Sequence, residues 1–221
     1  MRKDDTNTGK KRKKENSVTN TSASRKRCSR TIDSAPEVFY QEYCELPFTL
    51  CSILVDEYEY ITRNDFGSPR SVHALPARVS VKQVLQHYQR KRSDSESKER
   101  IRKFCEGLAL LFDDALPICL LYREERPQYE SLQTDESLRL KRSCEIYGTT
   151  FLLRLLRRLP ILLREESQNE MDDVGPLIAD LIVLLQKNRQ ACFKESYRQP
   201  KEHELLECEK RIVLPTVGRT L

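Results

Sequence analysis

Apolar residues recur at three- and four-residue steps along most of the chain after residue 46, the period of amphipathic helices rather than the alternation of strands. Leu50, Ile53, Leu54, Tyr58 and Ile61 follow Leu46-Pro47 in this way, and Pro47 suits the first turn of a helix running to about Thr62. Asn64 to Pro69 is turn chemistry, and Ser71–Leu75 reads as a strand or an extended hairpin arm stopped by Pro76. Ser80 stands where it would cap a helix carrying Val81, Val84, Leu85 and Tyr88 on one face. The clearest stripe is Ile101, Phe104, Cys105, Leu108, Leu111, Phe112, Ala115 and Leu116, a helix with one buried face that Pro117 breaks.

Arg126-Pro127-Gln128-Tyr129 starts a short helix, and the charged stretch Thr134–Glu145 reads as a connecting loop. Tyr147-Gly148 leads into a helix over Phe151–Leu163. There Leu152, Leu155, Leu156 and Leu159 face inward, and Arg154, Arg157 and Arg158 form the opposite, wet face in preference to a phosphate site. Pro176 opens a last long helix, Leu177–Lys187, apolar almost all round and therefore expected at the centre. Ile212-Val213-Leu214 is expected to pack as the final element. No period of 20–50 residues recurs. The fold class is all-α: one domain of about five to seven helices over residues 36–214, with at most a small β-hairpin and a short tail, 215–221.

Charge changes this picture at the front of the chain. Net charge is +5 over 221 residues, but residues 1–30 hold 11 bases and 3 acids, a net +8, which leaves −3 for the rest. Residues 1–35 thus read as a basic, polar arm with too little apolar surface to offset its ordering entropy, and disorder is expected there. Its two clusters, Lys10, Lys11, Arg12, Lys13, Lys14 and Arg25, Lys26, Arg27, have the composition of nuclear-localisation or phosphate-contacting runs. With no aromatic residue between them, any DNA or RNA contact through residues 2–30 would be weak, salt-sensitive and sequence-blind. The start is polar and basic without an apolar run, unlike a secretory signal, and no stretch offers ~20 consecutive apolar residues. A soluble, intracellular protein that does not enter membranes is expected.

Catalytic and metal chemistry find little support. Cysteines stand at 28, 44, 51, 105, 119, 144, 192 and 208 without knuckle spacing, and His73, His87 and His203 are scattered; reduced, mostly buried thiols and no metal site follow. There is no glycine-rich phosphate loop, no G-x-S-x-G and no H-E-x-x-H. The adjacent carboxylates at Asp113/Asp114, Glu165/Glu166 and Asp172/Asp173 point ~100° apart on a helix and suit caps or solvated faces better than acid–base pairs. No catalytic residue and no cofactor is expected.

Several strings resemble one family. Leu46-Pro47, then Leu54-Val55-Asp56-Glu57-Tyr58 and Ile61-Thr62, look like the opening helix of the MRG domain of mortality-factor-like (MORF-related) chromatin proteins. Leu75-Pro76-Ala77 with Val84-Leu85 and Tyr88 resembles its next helix. Leu120-Leu121-Tyr122-Arg123-Glu124-Glu125-Arg126-Pro127-Gln128-Tyr129 is similar to its most recognisable string, and Tyr147-Gly148 with Leu152-Leu153-Arg154-Leu155 to its third block. Together they cover about residues 44–198. Tyr58 stands where the family usually has Trp, Phe151 where it has His, and Glu124 where relatives are often apolar. The arm has no aromatic residue before Phe39, so the methyl-lysine-reading chromodomain of many members has no counterpart there.

The resemblance implies a non-enzymatic nuclear scaffold of histone acetyltransferase and histone deacetylase complexes, acting in transcription and DNA repair. In that family a hydrophobic groove takes short partner segments, including a Phe-x-Leu-Pro type. Carried onto this sequence, the groove residues are Leu46, Leu54, Val55 and Tyr58 with Tyr122, Arg126 and Tyr129; the apolar and aromatic ones supply buried contact and Arg126 fixes a carboxylate or carbonyl. Periodicity alone does not separate groove from interior for Leu54 and Tyr122. The alternative is a sequence-nonspecific nucleic-acid-binding protein led by its arm.

Overall fold

Helical periodicity becomes helix wherever a residue is placed to start it. A computed structural model of the chain describes residues 43–62, 70–92, 97–163, 168–194 and 196–206. The expected arm, the Ile212-Val213-Leu214 element and the tail lie outside these described residues. The Pro47 carbonyl accepts from Leu50 and Cys51 N–H at 2.8 and 3.0 Å and opens α1, Phe48–Thr62. Strand β1 is Val72–His73. Ser80 caps α2, Val81–Lys91, through a reciprocal box: its hydroxyl accepts from Gln83 N–H at 3.3 Å while Gln83 Oε1 accepts from Ser80 N–H at 2.9 Å. Helix α3, Lys98–Ala115, buries Ile101, Cys105, Leu108, Ala109, Phe112 and Ala115. At Pro117 it widens into a π-helical turn, Leu116–Leu120, followed by a 3₁₀ turn, Arg123–Glu125, and α4, Arg126–Thr134.

The stretch after Thr134 is a loop for most of its length, with Asp135 accepting from Ser137, but it closes in a short helix, α5, Ser143–Ile146. Helix α6 is Thr149–Leu162, α7 is Gln168–Lys187 and α8 is Arg189–Cys192; strand β2, Tyr197–Arg198, and a 3₁₀ turn at Glu202–Glu204 follow. Among the described residues the fold is all-α apart from one antiparallel strand pair, Val72 opposite Arg198 and His73 opposite Tyr197. This pair joins distant parts of the chain and is not the hairpin expected around Ser71–Leu75. No helix among the described residues is long and apolar enough to cross a membrane.

The centre is α6, not the last long helix. Its residues 149–156 are buried without interruption, and it packs against α1, α2, α3 and the π-helical turn. Helix α7 starts well before Leu177, includes Pro176, and leaves Val183 exposed while Ile178, Leu181, Ile182, Leu184 and Leu185 are buried. A continuous apolar run therefore marked burial in both, but only α6 is surrounded. Cys44, Cys105 and Cys144 are buried free thiols, and burial pushes each up to about 11.

Candidate partner-binding site

Arg154 is the residue around which the site is built. Expected on a wet face with Arg157 and Arg158, it is 5% exposed instead. The wet-face expectation fails because α1 and the 3₁₀ turn lay two carboxylates over the first half of α6. Arg154 Nε donates to Glu57 Oε2 at 3.0 Å and Nη2 to Glu57 Oε1 at 2.7 Å. Nη1 donates to Glu125 Oε2 at 2.6 Å and to the Leu120 carbonyl at 2.8 Å, and Nη2 to Glu125 Oε1 at 2.9 Å. All five guanidinium N–H groups are engaged, the condition under which a buried charge is tolerated.

His73 completes the network from β1. Its Nε2 lies 2.8 Å from Glu57 Oε1 and donates to it, and the ring packs 4.7 Å from Phe151 and 4.9 Å from Tyr197. Glu125 also accepts from Tyr122 N–H at 2.8 Å, and Gln128 Nε2 donates to the His73 carbonyl at 2.7 Å. Burial by itself would raise the Glu57 carboxyl; the hydrogen bonds from His73 and Arg154 and the charge of Arg154 outweigh it and hold it below its ordinary value. Burial opposes the charge on Arg154 as well, and Glu125 and Glu57 together push its pKa up. Glu57, His73 and Glu125 offer ligand atoms within 4.8 Å of one another. The carboxylate oxygens among them are already paired with Arg154, so a cation there would stand against the guanidinium.

Above this network the surface is apolar. The Tyr122 ring lies over the guanidinium, its centroid 3.8 Å from the Arg154 carbon, and Tyr58 meets Tyr122 edge-on at 5.3 Å and 83°. Beside the pair opens a hollow of about 430 Å³ lined by Leu54, Leu120, Tyr122 and Pro160, with Ile161 and the three arginines 154, 157 and 158. Val55 is 57% and Tyr58 52% exposed, large for apolar side chains on a helix that buries its other face.

Of the residues singled out in the sequence, Leu54 and Tyr122 line this hollow and Val55 and Tyr58 stand on α1 beside them. Arg126 is exposed and donates to the Pro117 carbonyl at 3.2 Å. Leu46 is buried in the core, and Tyr129 is half-buried and packs against that core without lining the hollow. Sequence reasoning missed Glu57, Glu125 and His73 as a unit, and Pro160 and Ile161 as lining. One signal was legible: Arg154 interrupts Leu152-Leu153 and Leu155-Leu156, and a lone charge inside such a run calls for a buried partner. A larger hollow, about 790 Å³, opens between α3 and α7 around Phe104, Leu111, Leu163 and Leu177, and none of the singled-out residues reaches it.

The MRG family model matches residues 10–199 of the chain. The chain belongs to the MRG family. This MRG chain is 38% identical over 134 residues to the chromatin modification-related protein EAF3 of Saccharomyces cerevisiae, over 58% of its own length and 31% of the yeast protein's. It is 30% identical over 152 residues to protein MRG1 of Arabidopsis thaliana, covering 66% and 44% of the two chains. To the NuA4 complex subunit EAF3 homolog of Dictyostelium discoideum it is 32% identical over 160 residues, covering 69% and 38%. The MRG chain thus spans 31% to 44% of the length of these three curated relatives.

Proposed function

We propose that this MRG chain is a non-enzymatic interaction module of nuclear chromatin-modifying complexes, and that it holds short partner segments in the hollow between α1, Tyr122 and α6. The observation that carries the reading is the aromatic pair of exposed Tyr58 and half-buried Tyr122 beside a hollow that Tyr122 lines and a buried ion network underlies. Leu54, Val55, Tyr58 and Tyr122 supply the contact area, Arg126 at the margin offers a donor to a carboxylate or carbonyl, and Leu46 and Tyr129 support the surface from the core. Replacing the family's usual Trp by Tyr58 leaves a smaller anchor and a hydroxyl, which shifts the choice of partner.

Relatives named as a chromatin modification-related protein and as a NuA4 complex subunit support assembly into a chromatin-modifying complex. Histone acetyltransferase and deacetylase complexes are the proposed partners, in transcription and DNA repair, with the nucleus as the place of action. The titratable groups that converge, Glu57, His73, Glu125 and Arg154, are buried and spent on one another, which favours a structural role over catalysis. Affinity purification of the full chain from nuclear extract is expected to bring down acetyltransferase or deacetylase subunits; a purification that repeatedly recovers neither contradicts the proposal.

A second reading rests on the +8 charge of residues 1–30 and makes the chain a sequence-nonspecific DNA or RNA binder. Salt separates the two: phosphate contact collapses between low and high salt, whereas apolar peptide binding barely responds.

A further inference from the structure

Helix α6 carries four residues on one stripe, Arg154, Arg157, Arg158 and Ile161, at steps of three and four. Their environments differ sharply along it. Arg154 lies under Tyr122 with every donor used. One turn on, Arg157 and Arg158 are exposed, line the same hollow, and make no side-chain hydrogen bond or ion pair among the described residues. Some other surface arginines meet a carboxylate close by: Arg92 meets Asp180, Arg102 meets Glu99 and Glu106, and Arg142 meets Asp113. Among the described residues no carboxylate lines the hollow. Apolar lining thus meets two fork-shaped cations that no described carboxylate neutralises, on a body whose net charge outside the arm is slightly negative.

We propose that this hollow selects partner segments in which acidic residues flank the apolar anchor, and that Arg157 and Arg158 make the selection. The proposal rests on the hollow being the partner site and adds the charge of the occupant to it. An apolar side chain enters beside Leu54, Tyr122 and Ile161, and carboxylates a few residues away accept from the two guanidinium groups, as forks or singly. A peptide fits better than a nucleic acid: one face of Tyr122 is taken by Arg154, and the apolar lining besides Tyr122 is aliphatic, which suits an aliphatic or aromatic side chain better than a run of stacked bases.

The test uses the full chain and three synthetic peptides with one Phe-x-Leu-Pro core, flanked by Glu, by Gln or by Lys, titrated by fluorescence anisotropy at low and at high salt. The Glu-flanked peptide is expected to bind about fivefold more tightly than the Gln-flanked one at low salt, the sum of two exposed ion pairs, with the Lys-flanked peptide weakest. High salt narrows that spread in the native protein, a readout that needs no variant. In the double variant Arg157→Gln, Arg158→Gln the Glu advantage disappears while affinity for the Gln-flanked peptide is kept. Equal binding of the Glu and Gln peptides to the native chain overturns the acidic preference and leaves the partner site standing. Failure of all three to bind overturns both. A single-stranded oligonucleotide that competes with the Glu-flanked peptide and loses affinity in the double variant assigns the arginines to nucleic acid and overturns the proposal as well.

Discussion

Arg154 shows at the scale of one residue why this surface is rigid. Its guanidinium ties α1 through Glu57, the 3₁₀ turn through Glu125 and the π-helical turn through the Leu120 carbonyl. Removing it leaves two carboxylates buried without their counter-charge, so Arg154→Met is expected to lower stability by about 3–5 kcal/mol in urea unfolding. Arg154→Lys is expected to recover little of this, because a three-donor ammonium cannot serve two carboxylates and a carbonyl in one plane. An unfolding midpoint unchanged in Arg154→Met contradicts the network. Glu57 sets the pH dependence. Its pKa is lowered on folding, so its contribution is complete above the ordinary Glu value of about 4.3 and is lost as pH falls through the depressed native value. Stability from this group is therefore expected to be flat from neutral pH down to about 5 and to decline below about 4, and Glu57→Gln, which is less stable at neutral pH, is expected to show a shallower acid decline in the same urea series.

Among the elements, helices were legible where a cap or a long single stripe marks them. Ser80 and the Val81, Val84, Leu85, Tyr88 face gave α2, and the Ile101 to Leu116 stripe gave α3. Ser80→Ala breaks the capping box and is expected to cost about 1 kcal/mol, read as a lower melting temperature with unchanged helix content; no shift would contradict the cap. The strand pair was half legible: Ser71–Leu75 reads as extended, but its partner at Tyr197–Arg198 lies where no alternation signals it, because two residues per strand are too few to carry a pattern. The relative roles of α6 and α7 were not legible either. Both present apolar runs, and what separates them is how many neighbours each has, which is a property of the assembled fold. For the site, Leu54, Val55, Tyr58 and Tyr122 came from the resemblance; Leu54 and Tyr122 line one hollow, Tyr58 meets Tyr122 edge-on and Val55 is exposed on α1, whereas Leu46 stands in the core, since a leucine before a helix start has the same pattern whether it points in or out.

The whole molecule divides by charge and by task. Residues 1–30 carry +8, the remainder −3, and the hydrophobic share of 38% is concentrated in helices that close over α6. Apart from the larger hollow between α3 and α7, the helices leave open a smaller hollow in which apolar side chains meet arginines. The proposed function requires this surface to grip a partner peptide through Tyr58. Calorimetric titration of the full chain with a Phe-x-Leu-Pro peptide, compared with Tyr58→Ala, tests it most directly, because Tyr58 is half exposed and its loss leaves the core intact. Tyr58→Ala is expected to lose affinity by about tenfold or more at an unchanged melting temperature. Equal affinity in the two proteins, with both folded, would contradict it.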